Sequence, residues 1–158
     1  INGVEIKDVV RYGILAFWVQ KLQILNSKVH LAQREAFRAD TCEDSIIAGN
    51  RVKGAVADFA YSIKAINCLK TTVNNNHVEG ANNAAQTGNH GIGFVASSGV
   101  CEDNQAVGNT ISGHASAVIV TGTGVNHSVV VGNNGRNCYG ATKFNITSAN
   151  QSVANNLI

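Results

Sequence analysis

The chain sets short runs of β-branched and other apolar residues between polar, glycine-containing corners, and no helical spacing is sustained over ten residues. Ser116-Ala117-Val118-Ile119-Val120-Thr121-Gly122 and Ser128-Val129-Val130-Val131-Gly132 read as strands. The corners recur. On an asparagine register they fall at Asn2, Asn26, Asn50, Asn76, Asn109, Asn133 and Asn155, spaced 24, 24, 26, 33, 24 and 22 residues apart. Two residues after these stand Val4, Lys28, Val52, Val78, Ile111, Gly135 and Leu157, five of the seven apolar, so neighbouring columns support the register. Eight residues before stand Trp18, Cys42, Cys68, Cys101, Val125 and Thr147, which places Trp18 in the core with the cysteines. The segments Cys42 to Asn50 and Cys101 to Asn109 align without a gap, and the chain is a repeat protein.

A period near 24 fits few repeat folds. Leucine-rich repeats need Leu five residues before the Asn, and that column is polar throughout (Lys21, Ser45, Thr71, Asn104, Ser128, Asn150). What remains is an all-β, parallel β-helix of six to seven coils, in which three short strands and three corners fill each turn at about 3.3 Å per residue.

Composition agrees. Asn occurs 20 times and Gly 16 times, against six Leu, which favours turns over helices. A chain of 158 residues with 44% apolar content suits one domain, residues 1–158. A net charge of +2 argues against a dedicated nucleic-acid partner, and no run of about 18 apolar residues marks a membrane span. The start at Ile1 and the lack of Met and Pro read as a segment of a longer chain.

The motif Val-x-Gly-Asn-x-(Val/Ile)-x-Gly, as in Val107-Gly108-Asn109-Thr110-Ile111-Ser112-Gly113, resembles the right-handed, pectin-lyase-like parallel β-helix family. That family includes bacteriophage tailspikes and polysaccharide lyases and hydrolases. The resemblance implies a right-handed solenoid and a polysaccharide partner. For a tailspike it further implies a homotrimer on the virion, and for a secreted enzyme an extracellular monomer.

Stacked coils put residues of one column in contact. The Asn column reads as a corner ladder in which the amides bond one another and the backbone is left-handed; the functional alternative is that the amides bind sugar. Along a second strand, Phe37, Ile63, Ala96, Val120 and Thr142 are expected to face inward. Arg38, Lys64, Ser97, Thr121 and Lys143 then face outward, either as a strip for an acidic glycan or as a solvated face. Parallel Cβ vectors make Cys42, Cys68 and Cys101 a stack of free thiols, with Cys138 apart. No Cys-x-x-Cys pair is present, and no metal or cofactor is expected.

Six residues before the Asn the column reads Gln20, Asp44, Lys70, Asp103, His127 and Ala149, beside Glu43, Leu69, Glu102 and Asn126. Asp44 and Asp103 then lie two coils apart, about 9.6 Å at the coil spacing. That is near the upper end of the range for the carboxylates of an inverting glycosidase. Glu43, Asp44, Glu102 and Asp103 are therefore catalytic candidates, with Lys70 or His127 tuning them, or Lys70 acting as the base of a lyase. The same column also reads as an ion-pair ladder. The longest turn holds an insertion expected at residues 82–90. His77 and His90 beside it, with His127, Arg38 and Lys64, complete the candidate substrate contacts, and Tyr61 and Tyr139 can stack on sugar rings. Three functions follow: a tailspike segment that binds or depolymerises bacterial surface polysaccharide, a secreted lyase or hydrolase, or a non-catalytic shaft or adhesin.

Overall fold

The computed structural model describes residues 1–54, 60–85, 88–140, 142–147 and 151–158. Among these every regular element is a strand, and every strand pairing is parallel. The chain winds into three six-stranded sheets. The first contains Glu5–Lys7, Lys28–His30, Arg51–Lys53, His77–Glu79, Thr110–Ser112 and Asn134–Asn137. The second contains Ile14–Phe17, Phe37–Asp40, Tyr61–Ile66, His90–Val95, Ser116–Thr121 and Phe144–Ile146. The third contains Gln23–Leu25, Ile46–Ala48, Thr72–Asn74, Gln105–Val107, Val129–Val131 and Ser152–Ala154. The protein is a parallel β-solenoid of about five turns, fewer than the six to seven coils expected.

Each turn has a fourth, minimal side. It consists of the pair Cys101–Glu102 with Val125–Asn126, continued by single bridges Gln20 to Glu43, Glu43 to Leu69 and Leu69 to Glu102. The expected three corners are therefore four, and each turns on a left-handed backbone position, with φ near +50° to +65° at most of them. One column of such positions is Trp18, Thr41 and Asn67; another is Lys21, Asp44, Lys70, Asp103 and His127; another is Asn26, Gly49, Asn75, Gly108, Gly132 and Asn155. Gly and Asn adopt this conformation at least cost, which is why they mark the repeat.

The Asn ladder exists, but one residue beyond those left-handed positions. Asn50, Asn76, Asn109 and Asn133 are at most 2% exposed. The Oδ1 of Asn76 accepts from both the backbone N–H and Nδ2 of Asn50, each at 3.0 Å, while Asn76 Nδ2 donates to Ile47 O at 2.9 Å. Asn109 and Asn133 repeat this pattern, and Asn156 continues it at 2.9 and 3.0 Å from Asn133. Ser27 takes the position below Asn50. The rung spacings are thus 23, 26, 33, 24 and 23 residues. Asn26 and Asn155 are off the ladder by a single step, and Asn2, which aligns with Leu25, by two. Since the amides of Asn50, Asn76, Asn109 and Asn133 are buried and committed, none of these four is left for sugar.

The same one-residue slip displaces Trp18. Val19, not Trp18, precedes Cys42 in its column, and Trp18 sits on a left-handed corner, 80% exposed. The core is a continuous stack of small and branched side chains. Val29, Val52, Val78 and Ile111 come from the first sheet, Phe37, Ile63, Ile92 and Val118 from the second, and Ile24, Ile47, Val73, Ala106 and Val130 from the third. All four cysteines are free and buried. Burial pushes the Cys101 thiol up to about 11, so it stays protonated and inert.

His114 is fully buried between rungs, Nδ1 2.7 Å from the Ser112 carbonyl and Nε2 2.8 Å from Ser62 Oγ. A neutral ring that donates from Nδ1 and accepts at Nε2 satisfies both contacts. Burial pushes its pKa down to about 4. The unfolded chain gains this proton near pH 6.5 and the folded chain does not, so stability falls as pH drops from 6.5 towards 4, by about 3 kcal/mol for this one group. Urea unfolding of the protein and of a His114→Gln variant at pH 7 and pH 4.5 checks this; an equal pH dependence in the two rules it out.

Candidate functional site

The outer face of the second sheet gathers the strongest cluster of polar chemistry. It is built on the segment Arg34-Glu35-Ala36-Phe37-Arg38-Ala39-Asp40, where strand alternation sends Phe37 and Ala39 into the core and Arg38 and Asp40 outward. Ile63 pairs with Phe37, so Lys64 lies directly opposite Arg38 on the next rung. Arg38 meets Asp40 Oδ2 at 2.9 Å and Tyr12 Oη at 3.3 Å. Lys64 Nζ lies 3.8 Å from Glu35 Oε1 and 4.5 Å from the centre of the Tyr61 ring.

Tyr61 reaches this position because the next rung carries Gly93. A Cβ there would stand 2.3 Å from the Tyr61 ring, so only glycine leaves space for it. The His90 ring makes a tilted contact with Tyr61, with centroids 5.1 Å apart. The cluster is largely desolvated: the side chains of Arg38 and Lys64 are 21% and 17% exposed, and that of Glu35 only 4%.

Electrostatics follow from that burial. Burial holds Lys64 below the usual lysine range, against the pull of Glu35. Burial also opposes the charge on Arg38, but the hydrogen bond to Asp40 and the field of Tyr12, Asp40 and Glu35 outweigh it and raise its pKa. Burial, aided by Glu35, raises the Tyr61 phenol. Glu35 Oε2 and Arg38 Nε are buried and have no hydrogen-bond partner among the described residues. Shifted pKa values gathered around such buried groups make this cluster a candidate functional site.

The structure thus brings together Arg38, Lys64 and His90 and separates them from the remaining candidates. The outward strip does not continue as expected: beyond Lys64 it runs to Gly93, Ile119 and Asn145, and before Arg38 to Leu15. Ile92 and Val118, not Ala96 and Val120, pair with Ile63 in the core column. Thr121 pairs with Val95, Ser97 lies in a loop, and Lys143 donates to the Cys138 carbonyl. Of the inward residues expected here, Thr142 is exposed beyond the strand end.

That offset arises in the 33-residue turn. Its insertion is split between residues 80–89, of which Gln86 and Thr87 lie outside the described residues, and residues 96–100. The second piece is folded over Asn67, whose Oδ1 accepts from the amides of Ser97, Ser98 and Gly99 at 3.0, 3.4 and 3.2 Å.

Asp44, Lys70, Asp103 and His127 do share a corner column, headed by Lys21 where Gln20 was expected; Ala149 lies outside the described residues. Its charges alternate in sign along the rungs. Asp103 Oδ1 and His127 Nδ1 are 3.9 Å apart with both side chains more than half exposed. In the adjoining column Glu102 Oε1 accepts from Asn126 Nδ2 at 3.0 Å, with Glu43 two rungs away. This is an open, self-neutralised edge. His77 stands on the outer face of the first sheet, opposite Arg51 and Thr110.

Tyr12, Glu35, Asp40 and Gly93 were not singled out from sequence. Asp40 is signalled by the alternation around Arg38, whereas Glu35 has the inward parity of Phe37, and the Tyr61–Gly93 contact joins residues 32 apart and has no local signal. Among the described residues no three His, Cys, Asp or Glu side chains converge as a metal site, and no helix is long and apolar enough to cross a membrane. Compared with family models, curated proteins and solved structures, the chain matches none.

Proposed function

We propose that this solenoid engages an acidic polysaccharide of the bacterial cell surface on the outer face of its second sheet. In the same reading it is a segment of a tailspike-like, pectin-lyase-like protein, placed on a virion as a homotrimer or outside the cell. The observation that carries the reading is the pair Arg38 and Lys64, opposite on adjacent rungs with Tyr12 and Tyr61 against them. Arg38 and Lys64 place two adjacent cationic groups where a uronate carboxylate could meet them. Glu35 supplies the buried countercharge that keeps Lys64 in place.

Binding of polygalacturonate and of an uncharged glucan, compared by calorimetry with the protein and an Arg38→Gln variant, tests this. The expected result is a clear preference for the acidic polymer and a loss of about tenfold in affinity in the variant, worth about 1.4 kcal/mol. Equal affinity for both polymers, or an unchanged variant, contradicts it. Growth of the unsaturated-uronate absorbance would add lyase chemistry to binding.

A second reading, a shaft that binds without cleaving, draws on the alternating corner column. In a cleaving parent protein Asp44→Asn and Asp103→Asn then leave activity unchanged, whereas loss of activity would return the acid and base to that corner. Sedimentation distinguishes the trimeric form from a secreted monomer.

A further inference from the structure

The outer face of the first sheet is a separate polar surface. Two outward columns flank the buried Val29, Val52 and Val78. In one, each cation has a carboxylate: Lys7 and His30 each lie 3.4 Å from Glu5, and Lys53 lies 3.9 Å from Glu79. In the other, Glu5, Lys28, Arg51 and His77 stand in register, and among the described residues the exposed side chains of Lys28, Arg51 and His77 have no ion pair or hydrogen bond.

Like charges set directly opposite on neighbouring strands destabilise a sheet. Elsewhere the solenoid offsets such pairs. The corner column alternates sign, and Arg38 and Lys64 each have their own carboxylate. Lys28 and Arg51 form a stacked like-charged pair; Glu5, opposite Lys28 in register, turns its carboxylate to Lys7 and His30 instead, and His77 extends the column to a third rung. A linear anion running along the solenoid axis would neutralise it. Rungs about 4.8 Å apart are comparable with the length of one pyranose unit, so one acidic group per sugar meets one side chain per rung.

We propose that the Lys28–Arg51–His77 column is a second binding site for an anionic polysaccharide, which it holds lengthwise across successive coils. The identity of the polymer class rests on the reading above; the site does not. A Lys28→Gln/Arg51→Gln double variant, titrated with polygalacturonate beside Arg38→Gln and the unaltered protein, tests it at two salt concentrations. The double variant is expected to bind at least tenfold more weakly and to show a shallower salt dependence, because two polyanion contacts are gone. Its thermal midpoint should be unchanged or higher, because a repulsion is removed. Unaltered affinity and salt dependence in the double variant overturn the proposal, as does tighter binding of single-stranded DNA than of the polyuronate. If Arg38→Gln binds normally while the double variant does not, the strip stands and the second-sheet site falls.

Discussion

Replacing Asn76 with Ala is expected to destabilise the protein by about 3–5 kcal/mol, the largest effect of any surface-conserving single change in the molecule. The Asn76 amide is one link in a chain of buried groups. Its Oδ1 receives both the backbone N–H and the Nδ2 of Asn50, and its Nδ2 serves Ile47 O and Asn109 Oδ1. Truncation leaves two donors on Asn50 without partners in a place water does not reach and takes one bond from the Ile47 carbonyl, and each orphaned donor costs about 1–3 kcal/mol. Asn76→Asp fares no better, since it buries a charge and removes the donor. The comparison variant is Asn26→Ala. Asn26 belongs to the exposed left-handed column and its Nδ2 makes one bond, to Asn2 Oδ1 at 3.2 Å. Denaturant unfolding should show a small loss for Asn26→Ala, mainly from backbone strain, and a severe one for Asn76→Ala. Equal losses would mean that the two asparagine columns do not differ in burial as described.

The second large effect is expected at Lys64. Lys64→Met keeps the aliphatic stem but leaves the Glu35 carboxylate in a buried position with its near cation gone. Breaking a buried pair from one side costs about 3–5 kcal/mol. Arg38 and Arg34 remain nearby, so a loss of about 2–3 kcal/mol is expected here. Glu35→Gln/Lys64→Met should recover most of that loss, because neither charge is then left unpaired. The double variant should still lack glycan binding at the second-sheet site. Stability and binding then move independently, which a purely structural ion pair would not produce. A double variant no more stable than Lys64→Met would show that Glu35 is not the group Lys64 compensates.

The repeat was legible because the solenoid reuses one buried amide on every turn. A buried Asn whose partners are its own copies above and below cannot be exchanged for another residue without orphaning them, so the sequence retains it. Phase was harder to read where two polar corner residues adjoin. Asn26-Ser27 and Asn155-Asn156 offer either member to the ladder, and only the 23-residue pitch of the outer turns decides for Ser27 and Asn156. That single step also moved Trp18 out of the core and replaced Gln20 with Lys21 at the head of the charged corner. The second-sheet strip was legible at Arg38 and Lys64, two rungs with no insertion between them. It was lost after Lys64 because part of the longest insertion follows the strand His90–Val95 instead of preceding it, which shifts the pairing from Ala96 back to Ile92. Where a loop leaves a coil is set by the three amides that Asn67 collects, and nothing in the local sequence marks it.

The functional account is tested most directly by an amide chemical-shift map of the labelled protein titrated with a hexamer of galacturonate. Saturable shifts are expected at Arg38, Lys64 and Gly93, with a separate set at Lys28 and Arg51, while the Asn50–Asn133 ladder stays still. A map without saturable shifts, or one confined to the Asp44–His127 corner, would contradict the account.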